Sequence, residues 1–152
     1  MTLSVHTFAT PHDAEMAFYA AIRQRNLDAL IAVWSDEEEV LCMHPGIPPL
    51  VSLDSIRKAW QEIFRRVNHI QLDVRHFAHW QGSLMSAHQL TEILRTRAGK
   101  EVRESTYRVT HLYIRGGHGW RLVCRHISST QNGEAADIPS EKAMSALPRI
   151  LH

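Results

Sequence analysis

The 152-residue sequence predicts an α+β domain, with helices gathered near its start and an antiparallel sheet after them. Apolar residues recur at helical spacing as far as Val67, and four strand-like segments then follow one another, about His69 to Trp80, Leu84 to Thr96, Val102 to Arg115 and Trp120 to Ser129. The turns between them, Gln81-Gly82, Ala98-Gly99-Lys100 and Gly116-Gly117-His118-Gly119, have hairpin length. A long coiled sheet with three helices laid across it makes a cone, a partly open barrel whose open end can hold a ligand.

Thr10-Pro11-His12-Asp13 offers an N-cap, a proline at the first helical position and an acid in the first turn, so the first helix begins there and carries Phe18, Ala21 and Ile22 on one stripe. Asn26 caps a short second helix with Leu27, Leu30, Ile31 and Trp34. Ser35 to Glu39 is a charged connector, and Val40-Leu41-Cys42-Met43 is a short strand ended by His44-Pro45-Gly46. Ser52 or Asp54 caps the third helix, whose stripe Ile56, Ala59, Trp60, Ile63, Phe64, Val67 keeps the helical rhythm throughout. Residues 1–130 are expected to form one domain, followed by a tail, 131–152, with one short helix near Glu141 to Leu147.

Composition narrows the function classes. Seventeen basic against sixteen acidic side chains give a net charge of +1, which calls for no nucleic acid. No apolar run reaches the roughly 18 residues of a membrane span, and Met1 to Thr10 lacks the basic start and apolar stretch of a signal peptide. A cytoplasmic protein is the expectation. Cys42 and Cys124 each sit in an apolar strand pattern and read as buried reduced thiols, with a disulfide between adjacent strands as the open alternative.

The chemistry-bearing feature is a repeated phrase, Cys42-Met43-His44 and Cys124-Arg125-His126. Side chains two apart on a strand share a face, so each phrase puts a thiol and an imidazole on a common surface. An imidazole with an ordinary pKa of about 6.5 both accepts and donates protons near neutrality. His44 is therefore the leading acid/base candidate, against the plainer reading that it hydrogen-bonds its own turn. If the two strands run side by side, the four groups would also suit zinc. The wide spacing argues against that alternative, and no metal ligand set and no cofactor is assigned. The remaining histidines, among them His76, His79 and His88, show no ligand spacing.

The segment Asn26 to Asp36, the strand ending His44-Pro45-Gly46, the run Ser55 to Phe64 and the late stretches Arg108-Val109-Thr110 and Gly119 to Ser129 resemble the nuclear transport factor 2-like superfamily, and more narrowly its SnoaL-like and ketosteroid-isomerase-like branch. The resemblance covers roughly Ala14 to Ser129. It implies the cystatin-like α+β cone, a homodimer formed through the sheet, and a pocket between helices and sheet. In the ketosteroid isomerases an aspartate before a proline is the base, and a helix-one tyrosine with a strand aspartic acid forms the oxyanion hole. Here His44 falls at the base position, Phe18 at the tyrosine position with Tyr19 beside it, and Thr110 at the aspartic acid position. Steroid isomerisation by that route is not expected, since phenylalanine donates no hydrogen bond.

By that alignment and strand alternation Cys42, His44, Arg108, Thr110, Cys124, His126 and Ser128 project into the cone. Arg108 would hold a carboxylate or enolate oxygen and His126 would orient His44 or act as the second acid/base group. Tyr19, Trp34, Trp60 and Trp120 would wall the pocket. The function expected is binding of a small hydrophobic or polar organic ligand, with isomerase, cyclase or dehydratase chemistry at a pocket histidine. The alternative is a non-catalytic ligand-binding or dimerisation module, because fold does not fix function.

Overall fold

The computed structural model describes residues 7–130; the expected tail lies outside the described residues. Three helices, α1 (Pro11–Arg23), α2 (Leu27–Val33) and α3 (Leu53–Arg66), are interleaved with β1 (Leu41–Met43) and followed by β2 (His69–Gln81), β3 (Met85–Ala98), β4 (Glu101–Gly116) and β5 (Gly119–Ser129). Each helix starts where the sequence supplies a cap. Thr10 Oγ1 accepts from Asp13 N, Asn26 Oδ1 accepts from Ala29 N, and Ser52 forms a capping box with Ser55.

The sheet order is β1-β5-β4-β3-β2. The four long strands form the expected antiparallel meander, and β1 adds a parallel edge, with Cys42 opposite Arg125 and Met43 opposite His126. Two bulges, between His76 and Ala78 and between Leu112 and Tyr113, bend the strands and help curve the unclosed sheet. At the last hairpin Gly119 has φ +82°, and a Cβ there would lie 2.3 Å from Phe8 O, whose carbonyl accepts from Trp120 N. Glycine is required by both conformation and space.

The core lies between the sheet's concave face and the helices. Phe18, Ile22, Leu30, Ile56 and Phe64 from the helices meet Leu72, Leu90, Val109 and Leu122 from the strands. Trp34 and Trp120 belong to this buried core. No helix among the described residues is long and apolar enough to cross a membrane.

Candidate functional site

A cavity of about 570 Å³ opens between α3, the turn after β1 and the concave face of the sheet. Its walls are chiefly apolar, with Ile63 from α3, Ile47 from the turn, and Ile70, Leu94, Tyr107 and Ile127 from four different strands. Its polar exceptions include His44, Glu92 and Arg125. Apolar walls with a few convergent polar groups are the usual construction of a small-molecule site.

Arg125 and Glu92 are almost wholly buried, at 2% and 4% exposure. Arg125 Nη1 donates to Glu92 Oε2 at 2.7 Å and Nη2 donates to Oε1 at 2.9 Å, a bidentate pair. Tyr19 Oη donates to the same Oε2 at 2.6 Å. Arg125 Nη1 also donates to His111 Nε2 at 2.7 Å, which leaves the proton of neutral His111 on Nδ1, where it is donated to Tyr113 Oη at 3.0 Å. The guanidinium rests over the rings of Phe18 and Trp60. Its Nε, buried, has no hydrogen-bond partner among the described residues.

This packing sets the protonation states. Burial would raise the Glu92 carboxyl, but the Arg125 charge and the hydrogen bonds from Arg125 and Tyr19 outweigh it and hold Glu92 below its usual value. Burial, and then the Arg125 charge, lowers His111 well below the ordinary imidazole range, so it stays neutral as its hydrogen bonds require. The charged groups of the floor are thus one matched pair.

His44 projects from the turn beyond β1. That turn is closed by the Cys42–Leu50 backbone pair, with each N–H donating to the other's carbonyl at 2.9 Å, and Gly46 takes φ +78° within it. Loop closure returns the chain at once to α3 and sets the His44 ring edge-on to Trp60, 5.8 Å between centroids. His44 Nε2 lies 3.1 Å from Cys42 Sγ. Burial, then the Arg125 charge, lowers the imidazole to about 4, while burial raises the Cys42 thiol to about 11. At neutral pH the pair is a neutral imidazole beside a protonated thiol.

The structure gathers some of the expected site residues and disperses others. Cys42 and His44 face inward together, Trp60 lines the cavity, and Tyr19 reaches its floor through Glu92. The expectation that Arg108, Thr110, Cys124, His126 and Ser128 share that hollow is corrected. Arg108, paired with Ser128, lies over the Phe77 ring on the outer face, and Thr110, paired with His126, accepts from Gln89 Nε2. Val109, His111 and Tyr113 are the buried residues of β4, and Arg125 and Ile127 are those of the second half of β5. The cause is the bulge. On β5, Trp120 and Leu122 face inward, but Val123 is the extra residue opposite the Leu112–Tyr113 step, so inward parity passes from even to odd positions.

The same register corrects the zinc alternative. Cys124 pairs with Leu41 and His126 with Met43, so this thiol and imidazole lie on the opposite face from Cys42 and His44. Trp34 and Trp120 are core residues and do not line the cavity. Glu92 and Arg125 were missed because charged residues in strands ordinarily face water. A signal was present for Glu92, which shares parity with Leu90 and Leu94 on β3.

A second cavity, of about 450 Å³, lies where α1 begins beside β2 and β3, and its lining includes His12, His76, His79 and His88.

Comparison with known proteins agrees with this architecture. A protein from Thiobacillus denitrificans, named for a calcium/calmodulin-dependent protein kinase type II association domain, is 31% identical over 82% of this chain and 98% of its own, with TM-score 0.73. One from Streptomyces avermitilis, named as a dehydratase of the NTF2-like family, is 20% identical over 78% and 93%, with TM-score 0.72. A ketosteroid isomerase-like protein from Erwinia carotovora atroseptica is 18% identical over 80% and 94%, with TM-score 0.71. The last two show likeness of fold alone. No curated protein matches. The model of the SnoaL-like domain matches residues 13–131, and with the curved NTF2-like sheet and its three helices in place, the chain belongs to the SnoaL-like domain family.

Proposed function

We propose that this chain binds a compact organic molecule in the 570 Å³ cavity, apolar along most of its length and carrying a carbonyl, enolate or carboxylate oxygen that Arg125 receives. The observation that carries this reading is the buried guanidinium on a chiefly apolar cavity, its Nε without a partner among the described residues. A donor already held in place by Glu92, Phe18 and Trp60 needs no reorganisation to meet developing negative charge. His44 then serves as the base or, once protonated, the acid. With its pKa near 4 it is a weak base kept fully unprotonated at neutral pH, suited to a proton acidified by an adjacent carbonyl held at Arg125. Isomerisation, cyclisation and dehydration of a carbonyl compound all consist of such transfers, and the side chains named supply them. The names of the Streptomyces and Erwinia relatives point to the same reaction class.

The test is a binding screen of hydrophobic ketones, hydroxy acids and carboxylic acids by ligand-observed NMR against the native protein, Ala59→Trp, which fills the cavity from α3, and His44→Ala. Compounds should bind the native protein and not Ala59→Trp, while His44→Ala retains binding and loses turnover. Equal binding by native protein and Ala59→Trp would refute the cavity as the site, and equal turnover in His44→Ala would remove its role.

A second reading, an association module working as a homodimer through the sheet, draws support from the name of the 31% identical relative and from the exposed Phe77, Trp80 and Val102 on the convex side. Sedimentation of native protein and Phe77→Asp tests it. A monomer in both would end it.

A further inference from the structure

We propose that Glu15, His76 and His88 form a divalent transition-metal site of the zinc type, separate from the His44 cavity and opening into the second one. Glu15 is buried, 2% exposed, on the inner face of α1, and its two carboxylate oxygens meet two imidazoles. Oε1 lies 2.6 Å from His76 Nε2, and Oε2 is in close contact with His88 Nδ1. The three donor atoms all lie within 4.8 Å of one another. Two nitrogens and a carboxylate oxygen form the ligand set of His₂Glu zinc centres and of facial-triad metal sites.

The strand irregularity builds this cluster. Without the bulge between His76 and Ala78, residues 76 and 79 would point to opposite sides of the sheet. With it, both line the same cavity, and His79 pairs directly with His88 across β2 and β3. His76 and His88 already give each Glu15 oxygen a partner, yet two further imidazoles, those of His12 and His79, gather at the same cavity. His79 lies 6.2 Å from His88 and His12 lies 6.5 Å from His76, ring centre to ring centre. The surplus suits a cation, whose charge Glu15 would partly neutralise and whose remaining position would face the 450 Å³ cavity for water or a ligand oxygen. His76, 42% exposed, gives the ion its entry from solvent. The observed nitrogen–oxygen contacts are shorter than two ligands at about 2.0–2.2 Å from one ion allow, so loading would spread the three side chains slightly. His88 touches Tyr113, which accepts from His111, which accepts from Arg125, so a continuous row of side chains joins this cluster to the floor of the larger cavity.

The experiment uses the chain without a histidine tag, because its own eleven histidines already invite weak adventitious binding. Zinc is titrated calorimetrically, and cobalt(II) is followed by its visible absorption. One equivalent should bind, with the intense cobalt spectrum of a low-symmetry site and a raised thermal midpoint. His76→Ala, a change at a half-exposed position, should stay folded by circular dichroism and weaken zinc binding at least about tenfold, since even outer-shell losses cost that much. His88→Gln should do the same, and His69→Ala, at the opposite end of β2, should bind as the native protein does. The absence of stoichiometric zinc binding by the native protein would overturn the site, as would binding unchanged in folded His76→Ala.

Discussion

Arg125 on β5 reaches past the intervening strand β4 to hold Glu92 on β3 by two N–H···O contacts of 2.7 and 2.9 Å. Adjacent strands lie about 4.8 Å apart, so the pair spans two strand spacings beneath the cavity. Only the longest cationic side chain with a flat two-pronged end makes that span and that geometry together.

Removing one member leaves the other charged and buried. Arg125→Met should destabilise the fold by about 3–5 kcal/mol in urea unfolding, and the double variant Arg125→Met/Glu92→Leu should recover most of that loss, because an apolar replacement of a whole buried pair is often neutral or better. The double variant should still fail to bind the compounds that the native cavity retains. Recovery of binding along with stability would show the pair to be structural alone.

The elements of the fold were legible because their signals are local. Ser52, Asn26 and Thr10 cap the helices that they precede, and the glycine turns divide strands whose limits fall within two residues of those expected. The inner face was not legible for a different reason. A strand's parity persists only while its pairing is regular, and two single-residue bulges, at Phe77 and Val123, reverse it halfway along β2 and β5. Before the second bulge Leu122 identifies the buried side correctly; after it, Cys124 looks like a core residue and Arg125 like a surface one, and both impressions mislead. Likewise His76 and His79, three apart on a strand, carry no sign that they face the same way. His44 was legible because Cys42, two residues before it on an unbulged strand, fixes its face.

The two cysteines should differ in reactivity. Cys42 is fully buried with its thiol pushed up to about 11 by burial, whereas Cys124 is half-buried on the other side of the sheet and is raised by burial without a neighbouring charge to assist. Iodoacetamide on the folded protein, followed by peptide mass spectrometry, should modify Cys124 slowly and Cys42 only after unfolding. Faster labelling of Cys42 would mean that the inner face of β1 opens in solution.

Face assignment predicts a clean division between the paired phrases. His126 is exposed on the convex side beside Thr110, so His126→Ala should change stability by less than about 0.5 kcal/mol and leave cavity ligands bound as before. Ala59→Trp, on the cavity wall, should abolish binding while the protein stays folded. A chemical-shift map of a bound ligand that perturbed the surroundings of His126 and not those of His44 would reverse the assignment.

Acid should weaken the fold through His44. Its imidazole sits at about 4 in the folded chain, against an ordinary value near 6.5 when exposed. Between those values the unfolded chain carries a proton that the folded chain does not, so stability rises with pH across the window and is lost as pH falls through it. For this residue the loss reaches on the order of 2 kcal/mol near a pH of about 5. His111, also lowered, acts in the same direction but is untouched by a change at residue 44. Thermal midpoints of the native protein and His44→Gln, measured from neutral pH downward, should therefore diverge, with the native protein falling more steeply as glutamine removes the titrating group and keeps a polar neighbour for Cys42 Sγ. The same depressed value means that ligand binding or turnover relying on unprotonated His44 should persist below pH 6, where an ordinary histidine would already have lost it. Parallel melting curves for the two proteins would show that the imidazole is more open to water than its contacts with Trp60 and Cys42 allow.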